Sequence, residues 1–308
     1  MFDSLTPLIA SAIAAAVPLI LAATGELVAE RAGVLNLGIE GMMLVGGLAS
    51  FVTVAHGGGL TEAALAGMAA GMLLALVFGF VTLTLQANQV AAGLSLTILG
   101  TGLSAFLGRA YVGFRAPASF ADLPIPGLSS LPLVGPGLFS MSLLGYLTVV
   151  ILAGTAWFLA RTKAGLALRS IGESPSVARS LGLPVTRVRY SAVAFGGAMS
   201  GLAGCYYAVA QFKMWQEGLT SGNGWIALAL VVFATWRPAR VAIGALLFGG
   251  VTAFGLYLQA RGVHVSTFAL GSLPYLATVV VLVIISANQQ AIRRNAPASL
   301  GKPFFDDS

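Results

Sequence analysis

The chain has 308 residues, of which 57% are hydrophobic and only 8% charged, with a mean hydropathy of +0.92. An ordinary soluble domain needs roughly 25% charged residues to cover its surface, so a soluble globular enzyme and a disordered chain are both excluded. The net charge of +6 becomes a question of position, because the placement of Lys and Arg sets membrane topology.

About nine apolar segments are long enough to be helices: 5–24, 33–55, 62–86, 89–108, 142–160, 190–210, 224–236, 241–260 and 271–287. Their apolar residues run on without the alternation of a membrane barrel. The predicted fold is therefore all-α, a polytopic transmembrane helix bundle in which the seventh segment is short or broken. No basic residue precedes the first segment, the first being Arg31, so Leu5 to Thr24 is expected to be a span and not a cleaved signal. The domain reading is one transmembrane domain over 1–287 with a cytoplasmic loop at 161–189, followed by a cytoplasmic tail at 288–308.

The stretch from Glu30 to Met43 holds the densest polar set in the chain: Glu30 and Arg31 at the inner boundary, then Asn36 and Glu40, with Gly33 and Gly41 permitting a local break. Asn36 and Glu40 are four apart and would share one face of a helix. They are either a polar stripe on a translocation path or a structural hydrogen-bond cluster. Asn88 and Gln89 pose the same choice, as an inner-face turn or as a pore-lining amide pair suited to a neutral polar solute. The glycine pairs Gly67/Gly71 and Gly197/Gly201 have the spacing that lets helices approach closely in lipid; packing is favoured over a gate hinge.

Between 109 and 141, Pro117, Pro124, Pro126, Pro132 and Pro136 exclude a helix, leaving an ordered outer cap or a plain connector. Segment 161–189 holds six basic residues, Arg161, Lys163, Arg169, Arg179, Arg187 and Arg189, against the single acid Glu173, a net of +5. The tail from 287 nets +1, from Arg293, Arg294 and Lys302 against Asp306 and Asp307, and the remainder is neutral. The positive-inside rule puts 161–189 in the cytoplasm, and counting spans from there puts the tail inside and the N-terminus outside. Within that loop, Ser174 is expected to cap a short helix, with Pro175 at its first position and Gly182 as its stop. This two-turn helix over 173–182 suggests a docking surface. Trp215, Trp225 and Trp236 read as interface anchors, with base stacking as the alternative; His56 and His264 read as surface residues and Cys205 as a packing residue.

At these residues the chain resembles the permease subunits of bacterial ATP-driven importers, in the branched-chain amino acid and simple sugar permease superfamily. Within it, the nucleoside-type branch is the most similar. The matching stretches are ERAGVLNLGIEGMMLVGG (30–47), ANQVAAGLSL (87–96), LPLVGPGLFS (131–140), SIGESPSVARSLGLPVTRVRY (170–190), GNGWIALALVVFATWRP (222–238) and APASLGKPF (296–304). Ala234-Thr235 and the surroundings of Lys213 and Glu217 depart from the family pattern. The resemblance implies that 173–182 is a coupling helix, with Glu173, Ala178 and Gly182 matching the Glu-Ala-Gly pattern that docks on an ATPase. It also implies no catalysis and no cofactor in this chain, ATP being hydrolysed by a partner subunit. The implied partners are cytoplasmic ATP-binding subunits, a second permease subunit expected to be a paralogue, an extracytoplasmic substrate-binding lipoprotein and the lipid of the bacterial inner membrane; nucleic acid is not among them. Nucleosides or a related sugar-like solute are the implied cargo. The chain contains no phosphate-binding Gly-x-x-x-x-Gly-Lys-Ser/Thr loop. An ion-coupled secondary carrier is the alternative, disfavoured because Glu40 alone reads as a deep carboxylate and no repeat is evident. An intramembrane enzyme ranks last.

Overall fold

In lipid every backbone N–H and C=O must be satisfied within its own segment, and the apolar runs meet that demand as helices. The computed structural model describes residues 2–131, 135–261, 295–304 and six positions between 272 and 283. Apart from those six, the ninth predicted segment lies outside the described residues, as do His264, Arg293, Arg294, Asp306 and Asp307.

The elements run α1 (Phe2–Arg31), α2 (Ile39–Ala55), α3 (Leu60–Gly79), α4 (Gln89–Gly108), α5 (Gly135–Leu138), α6 (Leu143–Arg161), α7 (Lys163–Glu173), α8 (Pro175–Ser180), α9 (Val185–Cys205), α10 (Asn223–Phe233) and α11 (Pro238–Ala260). A wide π-type turn extends α3 through Phe80–Thr84 and α9 through Tyr206–Gln211. Among the described residues, β-structure is limited to isolated bridges. Among the described residues, six helices are long and apolar enough to cross a membrane, and α2 and α10 are shorter apolar helices.

The helices meet along a seam of bare backbone. The two glycine pairs noted in sequence face each other: a methyl on Gly71 would sit 2.8 Å from Gly201 Cα, and one on Gly197 would sit 2.5 Å from Gly71 O. Gly46 of α2 joins them, 2.9 Å from Gly67 O by the same measure. Where lipid is as apolar as the helix surface, such close approach replaces the hydrophobic drive for association. Thus α2, α3 and α9 form the centre of the bundle, and the span that includes α9 is its most enclosed.

Five local expectations need correction. The first helix does not stop at Thr24 but continues to Arg31, because Gly25 is a contact point and not a breaker: a methyl there would meet Met199 Cβ at 2.8 Å. The second helix does not begin at 33. Residues 32–38 form a break, with Gly33 in the left-handed region at φ +84°, so Asn36 and Glu40 do not share a helix face. Segment 161–189 contains a full helix, α7, that the charge pattern concealed. Its start is capped by Thr162 Oγ1, which accepts the Gly165 N–H at 2.9 Å, and its buried residues Gly165, Leu168, Ile171 and Gly172 form one stripe. The short helix is consequently 175–180 and not 173–182; Ser174 stands at its cap position without a side-chain cap bond. The proline-rich outer loop contains one helical turn, α5, and is tied down where Tyr146 Oη donates to Leu123 O at 3.0 Å and Phe120 is buried.

Candidate functional site

The polar residues of α1 and α2 converge on the half-length helix α10. At its start the chain turns through Gly218, Ser221 and Gly222, all with positive φ. Glu40, in the first turn of α2, takes the donors this turn leaves over. Its Oε1 accepts the Thr220 hydroxyl at 2.5 Å and the Gly222 N–H at 2.8 Å, and its Oε2 accepts the Gly224 N–H at 2.6 Å. A carboxylate between two helix N-termini is favoured by both helix dipoles as well as by these bonds. Gly224 is required by the approach, since a methyl on it would lie 2.7 Å from Glu40 Cα.

The other end of α10 is held by α1. The Trp236 indole N–H donates to Glu30 Oε2 at 2.5 Å, and Arg31 donates to Trp236 O from Nη2 at 2.8 Å and Nε at 3.2 Å. Thr235 and Trp236 both have positive φ, +49° and +54°, a backbone state that costs free energy for side-chain-bearing residues and persists where surroundings enforce it. Trp236 is therefore not a lipid anchor but a buried donor, and Trp215 is fully buried beside Phe51 and Gly108. Trp225 is half-buried.

The break between α1 and α2 is closed by amides and one unforeseen carboxylate. Glu26 Oε1 accepts the Asn36 N–H at 2.9 Å. Asn36 Oδ1 accepts the Gly38 N–H at 2.9 Å, and its Nδ2 faces Met42 Sδ at 3.5 Å. Gln89 Oε1 accepts the Leu35 N–H at 2.8 Å. Asn88 is exposed and caps α4, its Oδ1 accepting the Ala91 N–H at 3.0 Å. Asn88 also lines a groove of about 290 Å³ with Phe78, Ser95 and Leu99. Asn36, Glu40 and Gln89 are buried with intrachain partners; Asn88 faces this groove, and Gln89 borders a separate small cleft with Thr82, Arg189 and Phe304. Glu40 is not the single deep carboxylate: Glu26 and Glu30 are buried too, each with one carboxylate oxygen that has no hydrogen-bond partner among the described residues. Ending the first helix at Thr24 hid Glu26; the continuous apolar run Leu27-Val28-Ala29 was the signal that could have revealed it.

At the same end of the bundle as Arg31 and Trp236, α7 and α8 form a platform. Ala178 is buried against Ile171 and Val185, while Val177 and Leu181 are 58% and 75% exposed. Glu173 is exposed at the end of α7 and borders a groove of about 420 Å³ with Arg31, Arg169, Val177 and Leu181. Pro175 starts α8, and Gly182 follows it at φ +79° with open space around it. The four residues read as a coupling surface thus lie together on one short stretch, with Ala178 facing inward.

Residues 8–287 match the family described as the branched-chain amino acid transport system permease component. The chain is 39% identical, over 95% of both chains, to TsgC13 of Haloferax volcanii, provisionally named a glucose ABC transporter permease protein. It is 33% identical to the guanosine ABC transporter permease protein NupQ of Bacillus subtilis, over 94% of this chain and 93% of the relative. It is 30% identical to the nucleoside ABC transporter permease protein NupC of Lactococcus lactis, over 92% and 93%. With its apolar helices, its half-helix bracketed by buried charges and this match along nearly its whole length, the chain belongs to the permease component family of branched-chain amino acid transport systems, as a membrane transport component and not an enzyme.

Proposed function

We propose that this chain is one of two permease subunits of an importer that brings a nucleoside, or a related sugar-like solute, into the cytoplasm. The observation that carries the reading is the platform α7–α8, where Val177 and Leu181 stand exposed on a buried base of Ile171, Ala178 and Val185. An apolar knob on a rigid support suits docking to another protein. Glu173, Pro175, Ala178 and Gly182 set the shape of that knob, and cytoplasmic ATP-binding subunits receive it. ATP is hydrolysed there, and the platform moves as a rigid body to switch access.

The platform end also carries Arg31, Arg161, Lys163, Arg237 and Arg240, so it faces the cytoplasm and the described tail does too. The N-terminus is then outside in a bacterial inner membrane, in a bundle of about nine spans that includes the half-helix and the segment 271–287. An extracytoplasmic substrate-binding lipoprotein delivers the solute to the opposite face. Asn88 and its groove contribute to the translocation path, while Asn36, Glu40 and Gln89 shape that path by holding the break. The solute class follows the relatives named for guanosine, nucleosides and glucose.

The test is ATP-dependent uptake of radiolabelled guanosine and glucose in vesicles containing the permease pair, the ATP-binding subunits and the receptor. Glu173→Lys or Leu181→Asp should lower solute-stimulated ATP hydrolysis about tenfold, as loss of a docking hot spot does, while the permease remains in the membrane. Normal stimulation in both variants overturns the docking assignment.

A further inference from the structure

One buried cation lies outside the bracket around α10. Arg189, in the second turn of α9, is 2% exposed and pairs with no carboxylate among the described residues. Its Nε donates to Ala32 O at 3.1 Å, and its Nη2 donates to Ser299 Oγ at 3.1 Å. The Ser299 hydroxyl in turn donates to Gly172 O at 2.7 Å, and the Ser299 N–H donates to the same oxygen at 3.0 Å. Two further ties fix the tail on either side: Gly301 N–H donates to Gly33 O at 3.3 Å, and Gln86 Nε2 donates to Phe304 O at 3.2 Å. Phe304 also lies under the Arg189 guanidinium, 5.7 Å from it.

These bonds join elements that are remote in sequence: the break after α1, the last turn of α7 and the tail. The contact between break and platform is itself nearly bare. A methyl on Gly33 would stand 3.5 Å from Gly172 Cα, and one on Gly172 would stand 3.3 Å from Gly33 N. A close backbone contact of this kind fixes the distance between break and platform, and the hydrogen bonds across it fix their register. Among the described residues the guanidinium is held by neutral oxygens, a costly way to fill a buried space that an apolar residue would fill more cheaply. What the guanidinium adds is direction: it fixes Ala32 and Ser299 relative to α9.

We propose that Arg189 and Ser299 are positioning residues of the transport cycle, clamping the α1–α2 break to the α7–α8 platform through the tail 295–304. The clamp delivers a displacement of the platform to residues 32–38 and so to Glu40 and α10. Without it the platform loses its register with the break, and ATP is hydrolysed without a matching movement of solute. The inference rests on the importer reading.

The experiment measures ATP hydrolysed per guanosine imported in the complete reconstituted complex. Ser299→Ala should raise that ratio about threefold or more, the range expected for a residue that carries coupling, with the amount of assembled complex unchanged. Gln86→Gly, which removes an outer tie at a left-handed position (φ +57°), should raise it about twofold. A merely structural role lowers complex amount, import and hydrolysis together and leaves the ratio fixed; that outcome overturns the clamp. Amide hydrogen exchange on the permease alone gives a second reading. Ser299→Ala should speed exchange at 30–38 and at 172–182 together, and faster exchange confined to 295–304 overturns the proposal. If the wild-type complex imports neither guanosine nor glucose with ATP, the importer reading fails, while the exchange result still decides whether the clamp exists.

Discussion

The seam between α2, α3 and α9 and the bracket around α10 hold helices together by opposite means. The seam works by removal: glycines strip away side chains until backbones touch, with the Ser50 hydroxyl donating across it to Ala63 O. The bracket works by addition: buried Glu30 and Glu40 and half-buried Arg31 are placed where they bond the two ends of the short helix α10. A seam of this kind tolerates no added atom. A bracket tolerates exchange of atoms provided the donors still find acceptors. The first is a close-packed joint, and the second ties a half-helix to the end of the molecule that carries α7 and α8.

The largest effect should come from the seam. Gly201→Val places a branched side chain against Gly67 O and Gly71 Cα, an overpacking that costs about 3 kcal/mol or more. Little folded permease should survive detergent extraction, as read by size-exclusion chromatography; a normal yield would show that the seam can open. Next is the start of α10. Glu40→Leu leaves the Thr220 hydroxyl and two backbone N–H groups without an acceptor, at about 1–3 kcal/mol each. Uptake should be lost and the melting temperature of purified permease should fall. Glu40→Gln, which keeps one acceptor oxygen, should recover part of both, and equal behaviour of the two variants would refute hydrogen bonding as the role of Glu40. The smallest effect is expected at the other end. Trp236→Phe removes the donor to Glu30 Oε2 and leaves that buried oxygen without a partner, at about 1–3 kcal/mol, while Arg31 still holds the Trp236 carbonyl. Uptake should fall severalfold without loss of protein, and a collapse as complete as that of Gly201→Val would erase the distinction between joint and tie.

The sequence carries the two sides of this comparison unequally. Small-residue spacing is a local signal, so Gly67/Gly71 and Gly197/Gly201 are recognisable as packing positions from their spacing alone, although that they face each other is not. The break near Gly33, the stop at Gly182 and the short seventh segment are local too, written in glycine, proline and length. The bracket is not local. Glu40 meets Gly222 across 182 positions and Glu30 meets Trp236 across 206, and no spacing rule spans such distances. Helix periodicity even misleads at Asn36, because four residues measure a helical turn only where the helix is unbroken. Charge counting misleads at Arg189, which adds to the basic total of 161–189 although its side chain is buried in the bundle. The residues proposed for coupling stand out by resemblance alone, while α7 beside them is hidden by its mixed polar face.

Both ends of α10 are read by a stretch of only fifteen residues, 26–40, that forms the end of α1, the break and the start of α2. That stretch acts as a template of fixed length against which α10 is cut: one residue more or fewer in α10 would turn Gly224 or Trp236 away from its acceptor, since each helical residue rotates by about 100° and rises about 1.5 Å. Residues 26–40 and 220–236 are therefore a single heritable module in two pieces. A chimera that takes its half-helix from a relative must take the matching template with it, and the outer loop, bonded through Gly113, Phe114 and Ala116 to residues 213–215, must likewise travel with that segment.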